Sequence, residues 1–281
     1  MTTPQELVSN VKELVSLPET YLSVRDTIND PYSSVDKVAG IVSHDPNISA
    51  KILRIANSSF FGFATEITSI NRAISIMGLS QLHDLVLAIS VVRSFKGMPN
   101  KLMNMKEFWL NSVFCAVASR LLAGRCNVLD SERLFVTGLL HDLGHLLMYT
   151  KLPAEMSEIL QAAKQQNKSI VQMERQILGF DYAQVGGELL KVWKMPDSYI
   201  EAVACHTEIS KADRFMLDAG IIHCASTLVR QEESANKGFG APAFDAKVWQ
   251  VTGITEEDME PLKQEAKRNM LEVLRLLFTK S

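Results

Sequence analysis

The chain has 281 residues, 47% of them hydrophobic and 22% charged, with a net charge of −3. That is enough apolar material for one large domain or two moderate ones without disulfides, and the slight negative charge argues against a bulk nucleic-acid binder. The N-terminal Met-Thr-Thr-Pro-Gln-Glu has no basic or apolar leader region, and no uninterrupted apolar run is long enough to span a bilayer, so a cytoplasmic protein with no membrane partner is expected.

Sustained alternation and Asn-Gly or Asp-Gly hairpin turns are absent, which points to an all-α fold. Leu7, Val11, Leu14 and Val15 mark a first amphipathic helix closed by Pro18, and Val35, Val38, Ala39 and Val42 a second. Asp45-Pro46 supplies an N-cap and an N1 proline for a helix whose buried face is Ile48, Ile52, Ile55 and Ala56. Asn57 ends it, either as a plain terminator in left-handed geometry or as a polar clamp on the loop leading to Phe60. Ile70, Ala73, Ile74 and Met77 form the next face, stopped by Gly78, and Leu82 to Val92 another. Gly97-Met98-Pro99-Asn100 is a break, which divides the chain into 1–100 and 101–281.

The second half opens with a helix from about Lys106 to Arg125. Ser169 with Gln172, Asp181 with Gln184 and Ser198 with Glu201 have capping-box spacing and start further helices. Another helix runs near Asp213–Arg230, Glu232–Pro242 reads as a surface loop, and Thr255 caps a long closing helix. Cys115, Cys126, Cys205 and Cys224 show no paired spacing and are expected to be free thiols.

Val136–Met148 reads as one apolar helix with His141 and Asp142 side by side near its middle. A charged Asp there is costly unless paired, hydrogen-bonded or bound to a metal. Imidazole and carboxylate are common ligands of divalent ions, so the doublet is a candidate metal site or what remains of one. His145, one turn on, is expected to be a pocket-edge or hydrogen-bonded core residue, with a substitute ligand as the alternative. His44 and His83 read as surface residues, and the Phe60-Phe61-Gly62-Phe63 cluster as core packing.

Gly138-Leu-Leu-His-Asp-Leu-Gly144 resembles the signature of the HD superfamily of metal-dependent phosphohydrolases. Asp45–Gly62, Ile67–Gly78, Phe108-Trp109 and Asp181–Pro196 followed by His206 add to it in order. Together they resemble the HDOD domain, the HD-related output domain of bacterial signalling proteins. The resemblance implies an N-terminal helical bundle followed by an HD-like helical bundle with a C-terminal helix. It also implies where the superfamily's metal ligands fall: Asn111, His141, Asp142, Tyr182, Cys205, His206 and Ser226. Only His141, Asp142 and His206 keep ligand chemistry there, and the others are departures.

A hydrolytic centre needs enough ligands to hold the ion and an open position for water. With the bracketing ligands lost, no catalytic residue and no cofactor are expected; a weakly bound divalent metal on His141, Asp142 and His206 stays open. The leading reading is a non-catalytic bacterial signalling module acting through protein–protein interaction, with signalling proteins as partners and no nucleic acid. Its input is expected by non-covalent association. The alternatives are a metal-dependent phosphohydrolase on a nucleotide or cyclic dinucleotide, and a nucleotide-type ligand sensor without catalysis.

Overall fold

The computed structural model describes residues 2–9, 17–95 and 102–278. No strand occurs among them. The helices are α1 (Pro4–Ser9), α2 (Glu19–Ile28), α3 (Val35–Ser43), α4 (Pro46–Ala56), α5 (Ile70–Phe95), α6 (Met105–Arg125), α7 (Ser131–Leu140) and α8 (Leu143–Lys151). They continue with α9 (Pro153–Gln166), α10 (Ile170–Leu178), α11 (Tyr182–Val192), α12 (Asp197–Cys205), α13 (Met216–Lys237), α14 (Lys247–Thr252) and α15 (Met259–Phe278). The all-α class is as the pattern predicts. The helices α2 and α9 escape the sequence reading because their buried stripes are sparse: Tyr21, Val24 and Thr27 in one, Met156, Ile159 and Ala163 in the other.

The chain forms two compact units, one of Met1–Leu14 with Pro99–Ala266 and one of Val15–Met98 with Lys267–Ser281. Each end of the chain therefore groups with the opposite half, unlike a simple division at residue 100. Val11, Leu14, Val15 and the Gly97–Asn100 break lie outside the described residues.

In the unit around α2–α5, Asp45 caps α4 by accepting from Asn47 and Ile48 N–H, and Ile48, Ile52, Ile55 and Ala56 are buried as their spacing predicts. Asn57 is not left-handed: its φ is −87°. Its side chain is a clamp, but on Ile67 rather than on Phe60. Nδ2 donates to Leu53 O at 2.8 Å and Ile67 O at 2.7 Å, while Oδ1 accepts from Ile67 N at 2.8 Å. Both polar ends are satisfied in a conformation any residue adopts, so αL geometry is not needed. Phe60 and Phe61 are buried, edge to face at 5.4 Å.

Gly78 interrupts α5 at φ 85°, ψ 169°, a conformation open to glycine and little else. This helix is long and apolar enough to cross a membrane by composition, yet 61% of its most apolar stretch is buried inside the protein, the pattern of a core helix. His83 corrects another expectation. It is half-buried rather than a surface residue, and its ring bridges Asp84 at 3.2 Å and the Tyr21 hydroxyl at 3.1 Å.

In the unit around α6–α14, the predicted single helix over Val136–Met148 is broken at the doublet. α7 stops at Leu140, Asp142 takes φ −103°, ψ 4°, and α8 restarts at Leu143. The cause is close packing of α8 on α11. A Cβ on Gly144 would stand 1.9 Å from Tyr182 O and 2.8 Å from Gly186 N, so the chain must redirect and only glycine fits at the contact.

The boxes at Ser169–Gln172 and Asp181–Gln184 form as predicted. The one at Ser198–Glu201 does not, because α12 already starts at Asp197 behind Pro196. Glu201 instead accepts from Asp213 and Phe215 N–H, both at 2.7 Å. α13 also runs on through the predicted loop to Lys237, helped by a Glu233–Lys237 ion pair at 2.8 Å one turn apart. Thr255 caps a short 3-10 turn (Glu256–Asp258) that leads into α15.

Candidate functional site

The break between α7 and α8 sets His141 and Asp142 in different surroundings. His141 is fully buried. Its Nδ1–H donates to Gly138 O at 2.7 Å, which leaves Nε2 as a bare acceptor, and that atom has no partner. Burial pushes its pKa down to about 4, so the ring is neutral. The His206 ring lies 5.6 Å away, centroid to centroid. His206 is fully buried too. Its Nδ1–H donates to Val203 O at 2.7 Å, and its Nε2 accepts the Tyr182 hydroxyl at 2.8 Å. Burial, then the neighbouring His141, hold it neutral.

Asp142 points the other way, into a network of charges. The Arg230 guanidinium donates to its Oδ1 through Nη2, and His145 Nδ1 donates to the same oxygen at 2.5 Å. Burial alone would raise the carboxyl pKa; the two cations outweigh it and hold it far below the usual carboxylate range. His145 lines the edge of both clefts on the cluster and is at the same time a buried, hydrogen-bonded residue that donates from both ring nitrogens, Nε2 reaching Glu174 at 2.7 Å. Burial opposes its charge, but Glu174 and Asp142 prevail and raise its pKa to about 9. Its ring stacks on Tyr182 with centroids 3.8 Å apart. Glu174, wholly buried on α10, also accepts from Tyr182 N at 3.1 Å. Arg230 completes the set with Nη1 on Glu233 Oε2 at 2.6 Å and its guanidinium carbon 5.0 Å from the Tyr182 ring centre.

The helices explain the convergence. His223, Ser226, Thr227, Arg230 and Glu233 recur at three- and four-residue spacing, so α13 presents them as one stripe. Glu174 follows Ile170 and Met173 on the buried face of α10. Two clefts open on the cluster. A narrow one of about 40 Å³ is lined by Asn111, Asp142, His145, Arg230 and Glu233. A larger one of about 320 Å³ reaches His145, Tyr182, His206, Ser226 and Arg230. Ser226 is buried and donates to His223 O at 3.1 Å, and His223 Nδ1 donates to His206 O at 2.7 Å. Cys205 is not brought in: it is half-buried and lines a separate cleft with Phe180 and Lys211.

A family model for the HDOD domain matches residues 14–209. The chain belongs to the HDOD domain family. Among solved structures, a candidate phosphohydrolase from Shewanella amazonensis SB2B aligns with a TM-score of 0.71 and 26% identity over 96% of this chain and 97% of that one. An HDOD domain protein of unknown function from Geobacter sulfurreducens aligns with a TM-score of 0.72 and 22% identity over 99% of both, a likeness of fold. An uncharacterised protein of Treponema pallidum (strain Nichols) is 19% identical over 210 residues, 73% of this chain. The chain spans 40% of the length of that curated relative.

The HD superfamily implies a divalent metal at the doublet, and the donors of this HDOD chain do not fit one there. Asp142 Oδ1 is held by two cations and His206 Nε2 by a hydroxyl proton, while His141 Nε2 keeps a free lone pair. Asn111 and Ser226 are neutral groups of low affinity for transition metals. Among the described residues no three His, Cys, Asp or Glu side chains converge as a ligand set. The sequence reading missed Arg230, Glu174 and Glu233. A signal existed: each is a charge on the inward side of an amphipathic helix, and Arg230 stands one turn after the position where the closing acid is replaced by Ser226.

Proposed function

We propose that this HDOD chain is a non-catalytic regulatory module of the bacterial cytoplasm that acts by binding signalling proteins. One observation carries the reading: the Asp142 carboxylate, the group a metal would need, is already neutralised from within by Arg230 and His145. A hydrolase of this type activates water by lowering its pKa on an ion, and a carboxylate whose charge is already balanced by two cations is a poor seat for that ion. Buried charges that satisfy one another fasten a fold and fix its geometry, which suits a rigid platform for partners.

The test is elemental analysis of protein purified without chelator, with phosphodiesterase and phosphomonoesterase assays in Mg²⁺, Mn²⁺, Fe²⁺ and Zn²⁺. Neither metal nor turnover is expected. Near-stoichiometric metal with turnover abolished in Asp142→Ala overturns the reading in favour of a metal-dependent phosphohydrolase on a nucleotide or cyclic dinucleotide.

A second reading, a nucleotide-type ligand sensor without catalysis, is favoured by the cleft of about 320 Å³, large enough for a small molecule. Saturable binding from a nucleotide panel, without turnover and lost on blocking the cleft with Thr227→Trp, would select it.

A further inference from the structure

We propose that the cleft of about 320 Å³ binds a small organic carboxylate, held by the first N–H groups of α10 and by the Thr227 hydroxyl. The inference deepens the ligand-sensor reading above and puts a carboxylate in the place of a nucleotide. Ser169, Ile170, Val171 and Gln172, the cap and first turn of α10, line one wall of the cleft. The Ser169 side chain caps Gln172 N–H and Met173 N–H reaches Ser169 O, which leaves Ile170 and Val171 N–H without a partner among the described residues. Free N–H groups at the positive end of a helix dipole are a seat for an anion. Thr227 is an independent sign. It lines the same cleft from α13 at only 4% exposure, and its hydroxyl has no hydrogen-bond partner among the described residues. Its neighbours are committed, Ser226 to His223 O and Arg230 to Asp142 and Glu233. A buried hydroxyl left unpaired is costly, and a ligand oxygen in the cleft satisfies it.

The charges point the same way. Arg175, Arg230 and His145 line the cleft as cations, against Glu233 as the acid in its lining. The carboxylates that pair with those cations are not part of the lining: Asp181 on Arg175 at 2.7 Å, Glu174 on His145 at 2.7 Å, and Asp142 on Arg230. The wall that a ligand meets is therefore positive, while the pairs beyond it leave the region close to neutral. Such a wall suits the single charge of a carboxylate better than the near-double charge of a phosphomonoester. Ile170, Val171, Pro242 and Ala243 give the cleft an apolar side for a hydrocarbon body. Pro242 is fixed there by Gln231 Nε2, which donates to its carbonyl at 3.1 Å, and by Asp245 N–H, which donates to His223 Nε2 at 2.9 Å three residues on.

The experiment titrates the full chain with acetate, butyrate, hexanoate and benzoate, with hexanamide and benzamide, and with inorganic phosphate and AMP. It reads calorimetry and melting for wild type, Thr227→Val and Thr227→Ser. Hexanoate or benzoate should bind saturably, more tightly than acetate, and raise the melting temperature. The matching amide, inorganic phosphate and AMP should each bind roughly 10-fold more weakly or worse. Thr227→Val should keep the melting temperature of the free chain, since the hydroxyl it removes has no partner, and should weaken carboxylate binding roughly 10-fold. Thr227→Ser should restore it. Binding of an amide as tight as its acid overturns the inference, as does full binding by Thr227→Val or a much lower melting temperature in that variant without ligand. Binding of AMP in place of the carboxylates overturns it too and leaves the nucleotide sensor standing. If nothing in the panel binds, the ligand-sensor reading falls with it, and the protein-binding module remains.

Discussion

The sequence contains Leu-His-Asp-Leu twice, at Leu82–Leu85 and Leu140–Leu143, and the two copies do different things. In the first, the helix runs on through the pair and His83 turns to its neighbour Asp84 and to Tyr21. In the second, the helix breaks, His141 turns to a backbone carbonyl, and Asp142 gathers Arg230 and His145. The residue that follows separates them. Val86 is an ordinary core residue where Gly144 lets a second backbone come within contact. A His-Asp pair becomes a site only when its surroundings bend the chain and bring charges to it.

The largest test of that contrast is Asp142→Asn. It leaves two buried cations with one acceptor fewer, and loss of one partner from a buried ion pair costs about 3–5 kcal/mol. Chemical denaturation should show a drop of that size. A change below about 1 kcal/mol would mean that Asp142 is no more committed than a surface carboxylate.

Gly144→Ala should cost about 3 kcal/mol, the upper part of the range for overpacking, because the obstacle is a backbone carbonyl that cannot rotate away. Val86→Ala, at the matching place in the first copy, only removes two buried methyls and should cost less. Equal losses in the two melts would show that the break at the doublet does not depend on the close approach of α8 and α11.

The surroundings of the second copy should also show in the pH dependence of stability. His141 and His206 have lowered folded pKa values, about 4 for the first, so their stabilisation is present above the unfolded value of 6.5 and is lost as the pH falls from there. His145 is raised to about 9, so its contribution is full below 6.5 and is lost as the pH rises through 9. Stability of the unit carrying the doublet should thus fall on both sides of pH 6.5. His145→Gln should flatten the decline from about pH 7 to 9 and keep the acid limb. An unchanged alkaline slope in that variant would place the charge elsewhere.

Much of this was legible in advance, and the part that was not has a physical reason. Helix faces such as Ile48, Ile52 and Ile55 announce themselves by period, and Asp45-Pro46 by local capping chemistry. The break at Asp142 does not, because both flanks are apolar and the contact that causes it comes from Tyr182, some forty residues on. Arg230 is hidden in a similar way. Its helix was visible, but its charge is neutralised by residues 88 and three positions away, and only the fold brings the distant one to it. Glu201 fails as a cap for the reverse reason: a tertiary pair of N–H groups outcompetes the local box.

The smallest effects make the finest comparison: a tyrosine hydroxyl meets the Nε2 of His83 in the first copy, and another meets the Nε2 of His206, the ring beside His141, at the second. Tyr21→Phe removes a bond to His83, whose side chain is 15% exposed, so water can replace the lost partner. The cost should be about 1 kcal/mol or less, the net worth of one ordinary hydrogen bond. Tyr182→Phe removes the bond to His206, which is wholly buried and whose Nδ1–H is already committed to Val203 O. Its Nε2 would then be an acceptor with no donor and no water, and the cost should be about 1–3 kcal/mol, the desolvation penalty of a stranded group. The rings keep their packing in both variants, so the larger loss should fall on the hydroxyl whose histidine acceptor is wholly buried. If Tyr21→Phe proves the more costly, the copies have been ranked the wrong way round, and the polar pair on α5 is the more tightly sealed of the two.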